Sequence, residues 1–241
     1  MTNWVLMTSG INDAYGVYTP DQRLHQTILS ADKTRNNIPN ANIILVEAGV
    51  TTLTIAQQEL LKPHFDGFID YTGHPTIQFA HQTETKNAIK SGGAVKTICE
   101  LFIMKEALKQ LPIKDDDRIF KMTGRYRPSP FFNVNEHLSR KGKYLFKDAQ
   151  EGFMFYRHDG TQFQYEYQYK TRLYSFCGSI IKEVIEDFET MFSRTVEMYS
   201  LDNYIDVEHA TYKFIDRSRV ETVPVIGVEG NPAPDFSILM E

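Results

Sequence analysis

The sequence of 241 residues lacks the features that mark several large protein classes. Its only cysteines, Cys99 and Cys177, are too few for a disulfide scaffold and do not have metal-ligand spacing. No apolar run approaches the roughly 18 residues of a membrane-spanning helix, and the amino terminus has no basic segment typical of a signal peptide. From these absences we expect a cytoplasmic protein without a transmembrane segment.

Basic residues are in the minority, because 26 Lys and Arg are outnumbered by 31 Asp and Glu and the formal net charge is −5. A broad basic surface, which a general nucleic-acid-binding protein requires, is therefore not expected, and we predict no nucleic-acid partner. The sequence also contains neither a GxGxxG segment nor a GxxxxGKS or GxxxxGKT segment. Dinucleotide-binding and P-loop interpretations consequently lose their main support.

What remains is an ordinary globular composition, with 41% hydrophobic and 24% charged residues. The length suits one large α/β domain or one domain with a small appendage. Apolar runs predict strands at residues 4–8, 42–47, 68–71 and 119–122. Helical spacing of apolar residues predicts helices at residues 20–37, 54–61 and 94–111. The resulting β-α-β-α-β order predicts a parallel half-sheet of the kind that binds nucleotides.

The pattern changes in the second half of the chain. Alternating aromatic and polar residues predict antiparallel strands at residues 144–146, 152–157, 163–169 and 173–176. Further elements are predicted as helices at residues 133–138, 180–192 and 204–215 and as a strand at residues 223–228. Residues 74–82 are predicted to form a polar loop. Three adjacent carboxylates at residues 115–117 precede a strand, so we interpret them as a solvated turn at the sheet edge opposite a ligand site.

The stretch at residues 118–129, RIFKMTGRYRPS, is the strongest candidate for a ligand site. Its strand runs into a polar turn, and open α/β sheets bind ligands at the carboxyl ends of their strands. The turn residues are Thr123, Gly124, Arg125 and Tyr126. Gly124 lets the backbone approach a ligand closely, and Arg125 offers a planar cation suited to phosphate or carboxylate. The alternative is that Arg125 forms a structural ion pair and that Arg127 is solvated.

Other predicted strands end in polar residues that would meet at the same edge. These candidates are Thr8, Ser9, Gly10, Glu47 and Asp70. For the two carboxylates, ordinary turn capping is the alternative. Lys90, in the flexible segment KSGG before a predicted helix, is a further candidate because free amides at a helix start attract anions. A simple loop with a mobile lysine explains that segment equally well.

The order of these elements over most of the chain resembles that of the GT-A glycosyltransferases. Three stretches carry the resemblance locally, namely QTILSADKTRNNIPNANIILVEAG at residues 26–49, IFKMTGRY at residues 119–126 and DVEHATYKF at residues 206–214. The resemblance implies an α/β fold in a single GT-A-like, Rossmann-type sandwich over residues 1–241. Its parallel central sheet would form a nucleotide-donor half, residues 1–130, and its mixed β and helical part an acceptor half, residues 131–241.

The same resemblance implies a hexosyltransferase that uses a nucleotide-diphosphate sugar, with a UDP-sugar favoured, and a saccharide or other small acceptor. The first strand end, residues 8–10, would then line the base and ribose. Glu47 and Asp70 would accept hydrogen bonds from uracil or ribose hydroxyls, and Lys90 would approach the diphosphate.

The resemblance also points to an acid late in the chain as the base that deprotonates the acceptor. Glu208 is the best match, with Asp206 second. The adjacent His209 is a candidate base, acceptor contact or metal ligand, and the alternative for it is a satisfied histidine of the core.

One departure from the family pattern concerns the metal. GT-A enzymes usually carry an Asp-x-Asp motif after the fourth strand that holds Mn²⁺ or Mg²⁺ on the diphosphate, and this chain has Thr123, Gly124 and Arg125 there. Arg125 would then neutralise the phosphate charge itself and count among the catalytic residues, which leaves metal dependence open. The missing motif keeps a second function class in view, a non-catalytic nucleotide- or carbohydrate-binding protein of the same fold. A nucleotidyltransferase is a weaker third interpretation, since no Gly-rich signature lies near the first strand.

Overall fold

The structure is a computed structural model that describes residues 1–13, 16–87, 93–156, 159–201, 203–232 and 238–241. The helices are Pro20–Asn37 (α1), Ile55–Leu61 (α2), Pro75–Asn87 (α3), Gly93–Gln110 (α4), Val134–Ser139 (α5), Ile181–Ser200 (α6) and Val207–Phe214 (α7). The strands are Asn3–Ser9 (β1), Ala41–Glu47 (β2), Gly67–Asp70 (β3), Arg118–Thr123 (β4), Tyr126–Pro128 (β5), Tyr144–Lys147 (β6), Gln150–Glu151 (β7), Met154–Tyr156 (β8), Gln162–Gln164 (β9), Tyr167–Gln168 (β10), Leu173–Cys177 (β11), Val220–Val223 (β12), Val228–Gly230 (β13) and Leu239–Met240 (β14).

The main sheet of the described chain has the strand order β12-β6-β11-β4-β1-β2-β3. The strands β4, β1, β2 and β3 run parallel to one another. By contrast, β11 lies antiparallel between β4 and β6. The predicted parallel half-sheet and the mixed second half are therefore both confirmed. The predicted strands at residues 152–157 and 163–169 appear as short antiparallel pairs beside the main sheet.

Two hydrophobic cores cover the two faces of this sheet. Trp4 and Leu6 of β1 pack into the core on the side of α4 and α6, whereas Val5 and Met7 pack into the core that includes α1. Because successive side chains of a strand point to opposite faces, a strand buried on both faces has a continuous apolar run. That is why the first strands could be predicted from their apolar runs.

The helix α1 shows how local sequence sets an element boundary. Thr19 is its N-cap and accepts a hydrogen bond from the backbone of Gln22, whose side chain bonds back to the Thr19 amide. Pro20 occupies the first helical turn, where its missing amide proton costs nothing. The helix ends before Pro39, and its bounds agree with the prediction.

Several predicted elements are corrected by the structure. Residues 74–82 do not form a loop but lie mostly within α3. This helix has few buried apolar residues, such as Ile77, so its helical pattern in the sequence is weak. The helix α6 continues to Ser200, beyond the predicted end at residue 192, and α7 begins only after its N-cap Asp206. The predicted strand at residues 223–228 is divided between β12 and β13, with Gly227 at a φ of 82° between them.

The acidic turn at residues 115–117 lies at the amino end of β4, as predicted, but it is not solvated throughout. Asp117 is buried and accepts hydrogen bonds from the Thr2 amide at 2.6 Å, the Trp4 indole at 3.1 Å and the Lys114 amide at 3.0 Å. This carboxylate joins the start of β1 to the start of β4. Separately, no helix in the described part of the chain combines the length and apolar character needed to cross a membrane.

Candidate functional site

A cleft of about 160 Å³ opens at the carboxyl ends of β1 and β4. The predicted residues that line it together are Thr8, Ser9, Gly10, Thr123, Gly124 and Arg125. The two strand ends are joined where the Gly124 amide donates a hydrogen bond to the Thr8 carbonyl at 2.9 Å. A Cβ at Gly124 would lie 3.0 Å from Thr27 Oγ1, so glycine allows this turn to pack against α1. The predicted edge of the sheet is therefore the edge that carries the cleft.

The guanidinium of Arg125 is half-buried in this cleft and lies 5.8 Å from the centre of the Tyr18 ring. Among the described residues it forms no ion pair and donates no hydrogen bond. Burial lowers the pKa of Arg125, and the positive charge of Arg23 lowers it further. Arginine nevertheless remains protonated in proteins. A partly buried cation without a counter-ion is a candidate site for an anionic ligand.

Two further cations in the cleft were not predicted. Arg23 of α1 is buried, donates to the Gly10 carbonyl at 2.8 Å and lies 3.5 Å from the Asp13 carboxylate. Its guanidinium and the ammonium of Lys96, on α4, approach the same side of Gly16, at 3.1 Å and 3.9 Å from where a Cβ would stand. Positive charges from two helices and from the end of β4 thus converge on one cleft.

The sequence contained a signal for Arg23. Buried polar residues follow one stripe of α1 at helical spacing, namely Arg23, Thr27, Ser30 and Thr34. A polar stripe on the buried side of a helix indicates that this side faces something other than an apolar core. Ser30 donates to the Tyr126 carbonyl and Thr34 to Met122 Sδ at 3.3 Å, and these bonds hold α1 against the turn that carries Arg125.

The carboxylate of Glu47 does not line the cleft. It is 1% exposed, accepts the Ser9 hydroxyl and accepts the Ile11 amide at 2.8 Å. Burial raises the pKa of Glu47 to about 7, and the negative charge of Asp70 also raises it. Asp70 is itself exposed and accepts the Thr72 amide at 2.8 Å. The geometry therefore supports turn capping for both carboxylates, and Glu47 shapes the cleft by holding residues 9–11.

A further predicted donor-site residue, Tyr126, is also outside the cleft lining. Tyr126 belongs to β5 rather than to a turn, and its buried ring lies 5.2 Å from the Arg172 guanidinium. Lys90 lies outside the described residues, so the structure says nothing about its predicted role.

On the other half of the chain, Glu208 lies in the first turn of α7 and is partly exposed. Burial raises the pKa of Glu208 to about 7, and the negative charges of Asp206 and Glu100 raise it further. Glu100 also lines the cleft, where it forms a 2.5 Å ion pair with Lys121. The charge of Glu208 therefore interacts with that of a residue lining the cleft. A carboxyl group that titrates near neutral pH is suited to proton transfer.

The neighbouring His209 is fully buried, and both of its ring nitrogens are engaged. The Phe153 amide donates to Nε2 at 3.2 Å, so Nε2 is the acceptor nitrogen. The proton must then be on Nδ1, which lies 2.6 Å from Asp206 Oδ1 and donates to it. This arrangement supports the interpretation of His209 as a satisfied histidine of the core and does not support its role as a base.

The residues at the end of β4 do not fit a divalent-cation site. Mg²⁺ and Mn²⁺ prefer carboxylate, carbonyl and water oxygens. Here the Thr123 hydroxyl already accepts a hydrogen bond from Lys121 Nζ at 2.9 Å, and Arg125 adds a positive charge. Across the residues that the structure describes, no group of three His, Cys, Asp or Glu side chains could hold a metal ion.

No protein-family model matches the chain, and no curated protein matches it in sequence. Among solved structures, the apo form of the bifunctional glycosyltransferase WbbM is similar, with a TM-score of 0.52 and 11% identity over 92% of this chain and 39% of that one. This chain therefore spans less than half the length of that protein. The likeness shows a GT-A-like fold, as the order of elements predicted.

Two other solved structures were also found. One is the CTP:phosphocholine cytidylyltransferase LicC of Streptococcus pneumoniae, with a TM-score of 0.41 and 10% identity over 97% of this chain and 94% of that chain. The other is mouse xyloside xylosyltransferase 1 in its apo form, with a TM-score of 0.48 and 9% identity over 92% of this chain and 84% of that chain.

Proposed function

We propose that this protein is a glycosyltransferase that moves a hexosyl group from a nucleotide-diphosphate sugar, with a UDP-sugar favoured, to a saccharide or other small acceptor. The observation that carries the proposal is the guanidinium of Arg125 at the carboxyl end of β4, which has no ion-pair partner among the described residues. It lies in a GT-A-like fold at the edge of the sheet where α/β proteins bind ligands. The step from fold to activity is an analogy, so the site residues and not the fold must be tested.

The donor half would comprise residues 1–130. In the proposed complex, residues 8–10 line the nucleoside and Arg125 contacts the diphosphate. Arg23 and Lys96 add positive charge to the same cleft. When the bond between the sugar and the diphosphate breaks, negative charge develops on the leaving phosphate oxygen. A guanidinium already held in place stabilises that charge without the reorganisation that water would need.

The acceptor half would comprise residues 131–241, with Glu208 as the base. For an inverting transfer, an acceptor hydroxyl oxygen attacks the anomeric carbon and forms the new glycosidic bond. The bond to the nucleoside diphosphate breaks and its electron pair leaves on the phosphate oxygen, while the hydroxyl proton passes to the Glu208 carboxylate. The pKa of Glu208, raised to about 7, supports this role, since the ionised form is then basic enough to accept a proton.

The test is calorimetry of the full chain with UDP-glucose, UDP-galactose, UDP-N-acetylglucosamine, GDP-mannose and a CMP-sugar. Each titration is repeated with manganese and with a chelator. We expect one nucleotide class to bind and the binding to persist in chelator, because Arg125 provides the positive charge. Failure of every donor to bind would contradict the proposal. Binding that disappears in chelator would contradict the role given to Arg125.

Turnover is measured separately as release of the nucleoside diphosphate in the presence of a mixture of simple saccharides. Release that depends on an acceptor is the expected result. Donor binding without release under any acceptor would instead favour a non-catalytic binding protein.

A further inference from the structure

The side chain of Phe153 is exposed, although its backbone is held firmly in place. The ring is 56% exposed, yet the Phe153 amide donates to buried His209 Nε2 at 3.2 Å. The preceding Gly152 donates to the Glu166 carbonyl and accepts from the Gln164 side chain, both at 3.0 Å. A Cβ at Gly152 would lie 1.9 Å from the Tyr165 carbonyl oxygen, so the chain can follow this path only with glycine. The ring is therefore presented to solvent from a fixed position.

A buried cation packs against one face of this ring. The ammonium of Lys170 lies 5.1 Å from the centre of the Phe153 ring and donates to Gln168 Oε1 at 2.8 Å. Lys170 is only 8% exposed. The amide of Tyr169, directly before Lys170 in the chain, donates to the Glu208 carbonyl at 3.2 Å, which holds this segment beside the first turn of α7. His209 follows Glu208 in α7 and accepts a hydrogen bond from the Phe153 amide. Phe153, Lys170 and Glu208 therefore belong to one small region.

We propose that the Phe153 ring, on the face opposite Lys170, is the platform on which a pyranose ring of the acceptor saccharide stacks beside the first turn of α7. A pyranose has an apolar C–H face and polar edges, and small-ligand sites combine aromatic surface with a few placed polar groups. The nearby, partly exposed Glu208 argues for a polyhydroxylated ligand over a purely apolar one, because an apolar ligand would desolvate its carboxylate without hydrogen-bonding to it. His209 is then a positioning residue that fixes the platform relative to α7.

This inference rests on the proposed function, which supplies the saccharide acceptor. It also goes beyond it, because it assigns a subsite to an aromatic residue outside the donor cleft.

The test uses saturation-transfer NMR on the full chain with three probes: methyl β-D-glucopyranoside, methyl β-D-galactopyranoside and methyl α-D-mannopyranoside. For at least one probe we expect transfer to the ring C–H protons in the wild type. Phe153→Ala should weaken binding of that probe roughly five-fold or more, and Phe153→Trp should retain it because the larger ring still stacks. Phe131→Ala is the matched control, since Phe131 is another exposed phenylalanine, 67% exposed, outside this region. Equal binding by wild type and Phe153→Ala, or no binding of any probe by the wild type, would overturn the subsite.

UDP binding, measured by calorimetry in the same variants, separates this inference from the proposed function. We expect Phe153→Ala to bind UDP as the wild type does and to keep the wild-type unfolding midpoint. If UDP binds but no glycoside binds, the subsite is wrong and the donor site stands. If glycosides bind through Phe153 but none of the nucleotide sugars of the donor panel binds, the subsite stands and the proposed transferase is wrong.

Discussion

The guanidinium of Arg125 lies 5.8 Å from the centre of the Tyr18 ring, and it forms no ion pair with any of the described residues. Arg127, two residues further along, is in the opposite situation, because its Nε lies 2.9 Å from Glu229 Oε1. The strand β5 carries Arg127 away from the cleft and pairs it with β13. Only the first of the two arginines is therefore available to a ligand in the cleft, and the second is its natural control.

Replacing Arg125 with alanine should weaken binding of UDP by roughly 10- to 150-fold, which corresponds to the loss of about 1.5–3 kcal/mol from a hydrogen bond to a charged group. The affinity of Arg125→Lys for UDP should lie between those of Arg125→Ala and the wild type, since lysine keeps the charge but not the planar guanidinium. Calorimetry measures the affinity. Arg127→Ala should bind UDP as tightly as the wild type. Equal affinity in Arg125→Ala would show that the diphosphate lies elsewhere.

Replacing Glu208 with glutamine should lower kcat by roughly 10²- to 10⁴-fold, the usual contribution of a positioned base. The affinity for the donor should not change, because Glu208 lies outside the lining of the cleft. In the wild type, kcat/KM should rise with pH through about 7, since Glu208 accepts a proton only after its carboxyl group has ionised. Steady-state kinetics across pH, together with UDP titration, measure both effects.

The control for Glu208 is Glu197→Gln, a change on the exposed side of α6 where the carboxylate pairs with Arg194 at 2.8 Å. It should leave both kcat and donor affinity at the wild-type values. If Glu208→Gln loses donor affinity and turnover in equal measure, Glu208 is not the base.

The elements that could be predicted from the sequence are those whose signals are local. The start of α1 follows from Thr19, Pro20 and Gln22, whose capping and proline chemistry act within one turn. The parallel strands follow from continuous apolar runs, which are required when both faces of a sheet are covered. Since the carboxyl ends of parallel strands meet at one edge, the cleft residues after β1 and β4 could be predicted together.

The rest depended on contacts between distant parts of the chain. Arg23 and Lys96 reach the cleft from two helices, and no spacing in the sequence places these helices opposite each other. Glu47 could have faced a ligand or capped a turn. The outcome depends on the Ile11 amide, which the fold buries and which therefore needs a protein acceptor, and the Glu47 carboxylate provides it.

The pH dependence of stability should reveal the buried carboxyl group of Glu47. Its pKa is raised to about 7 in the folded protein from an ordinary value of 4.5. Between these pH values the unfolded chain has released the proton and the folded chain retains it, so the free energy of unfolding falls as pH rises. Glu47 should account for a decrease of up to roughly 3 kcal/mol. Urea unfolding between about pH 5 and about pH 8 measures the slope.

Glu47→Gln should remove the part of this slope due to Glu47 and leave a part of similar size due to Glu208. The amide oxygen can still accept the Ile11 amide, and the amide nitrogen can donate to the Ser9 hydroxyl, so the turn is preserved. Glu59→Gln, an exposed change on α2, should leave the wild-type slope intact. A Glu47→Gln variant with the same slope as the wild type would mean that this carboxyl group is ionised at all these pH values.

The last prediction separates a structural histidine from a catalytic one. His209→Ala removes a fully buried ring and leaves the Phe153 amide and the Asp206 carboxylate without their partner. We expect the free energy of unfolding to fall by roughly 2–4 kcal/mol, as for other buried side chains whose loss leaves a cavity and unpaired polar groups. His25→Ala, on the exposed side of α1, should change it by less than about 0.5 kcal/mol.

The pH profile of the same variant tests whether His209, whose proton is assigned to Nδ1, acts as the base. If Glu208 is the base, whatever activity His209→Ala retains should still rise with pH through about 7. Urea unfolding and the pH profile of kcat/KM are therefore measured on one preparation of the variant. A variant that unfolds at the wild-type urea concentration but has lost turnover together with its pH dependence would make His209 the base. It would also contradict the view that this ring serves to fix Phe153 beside α7.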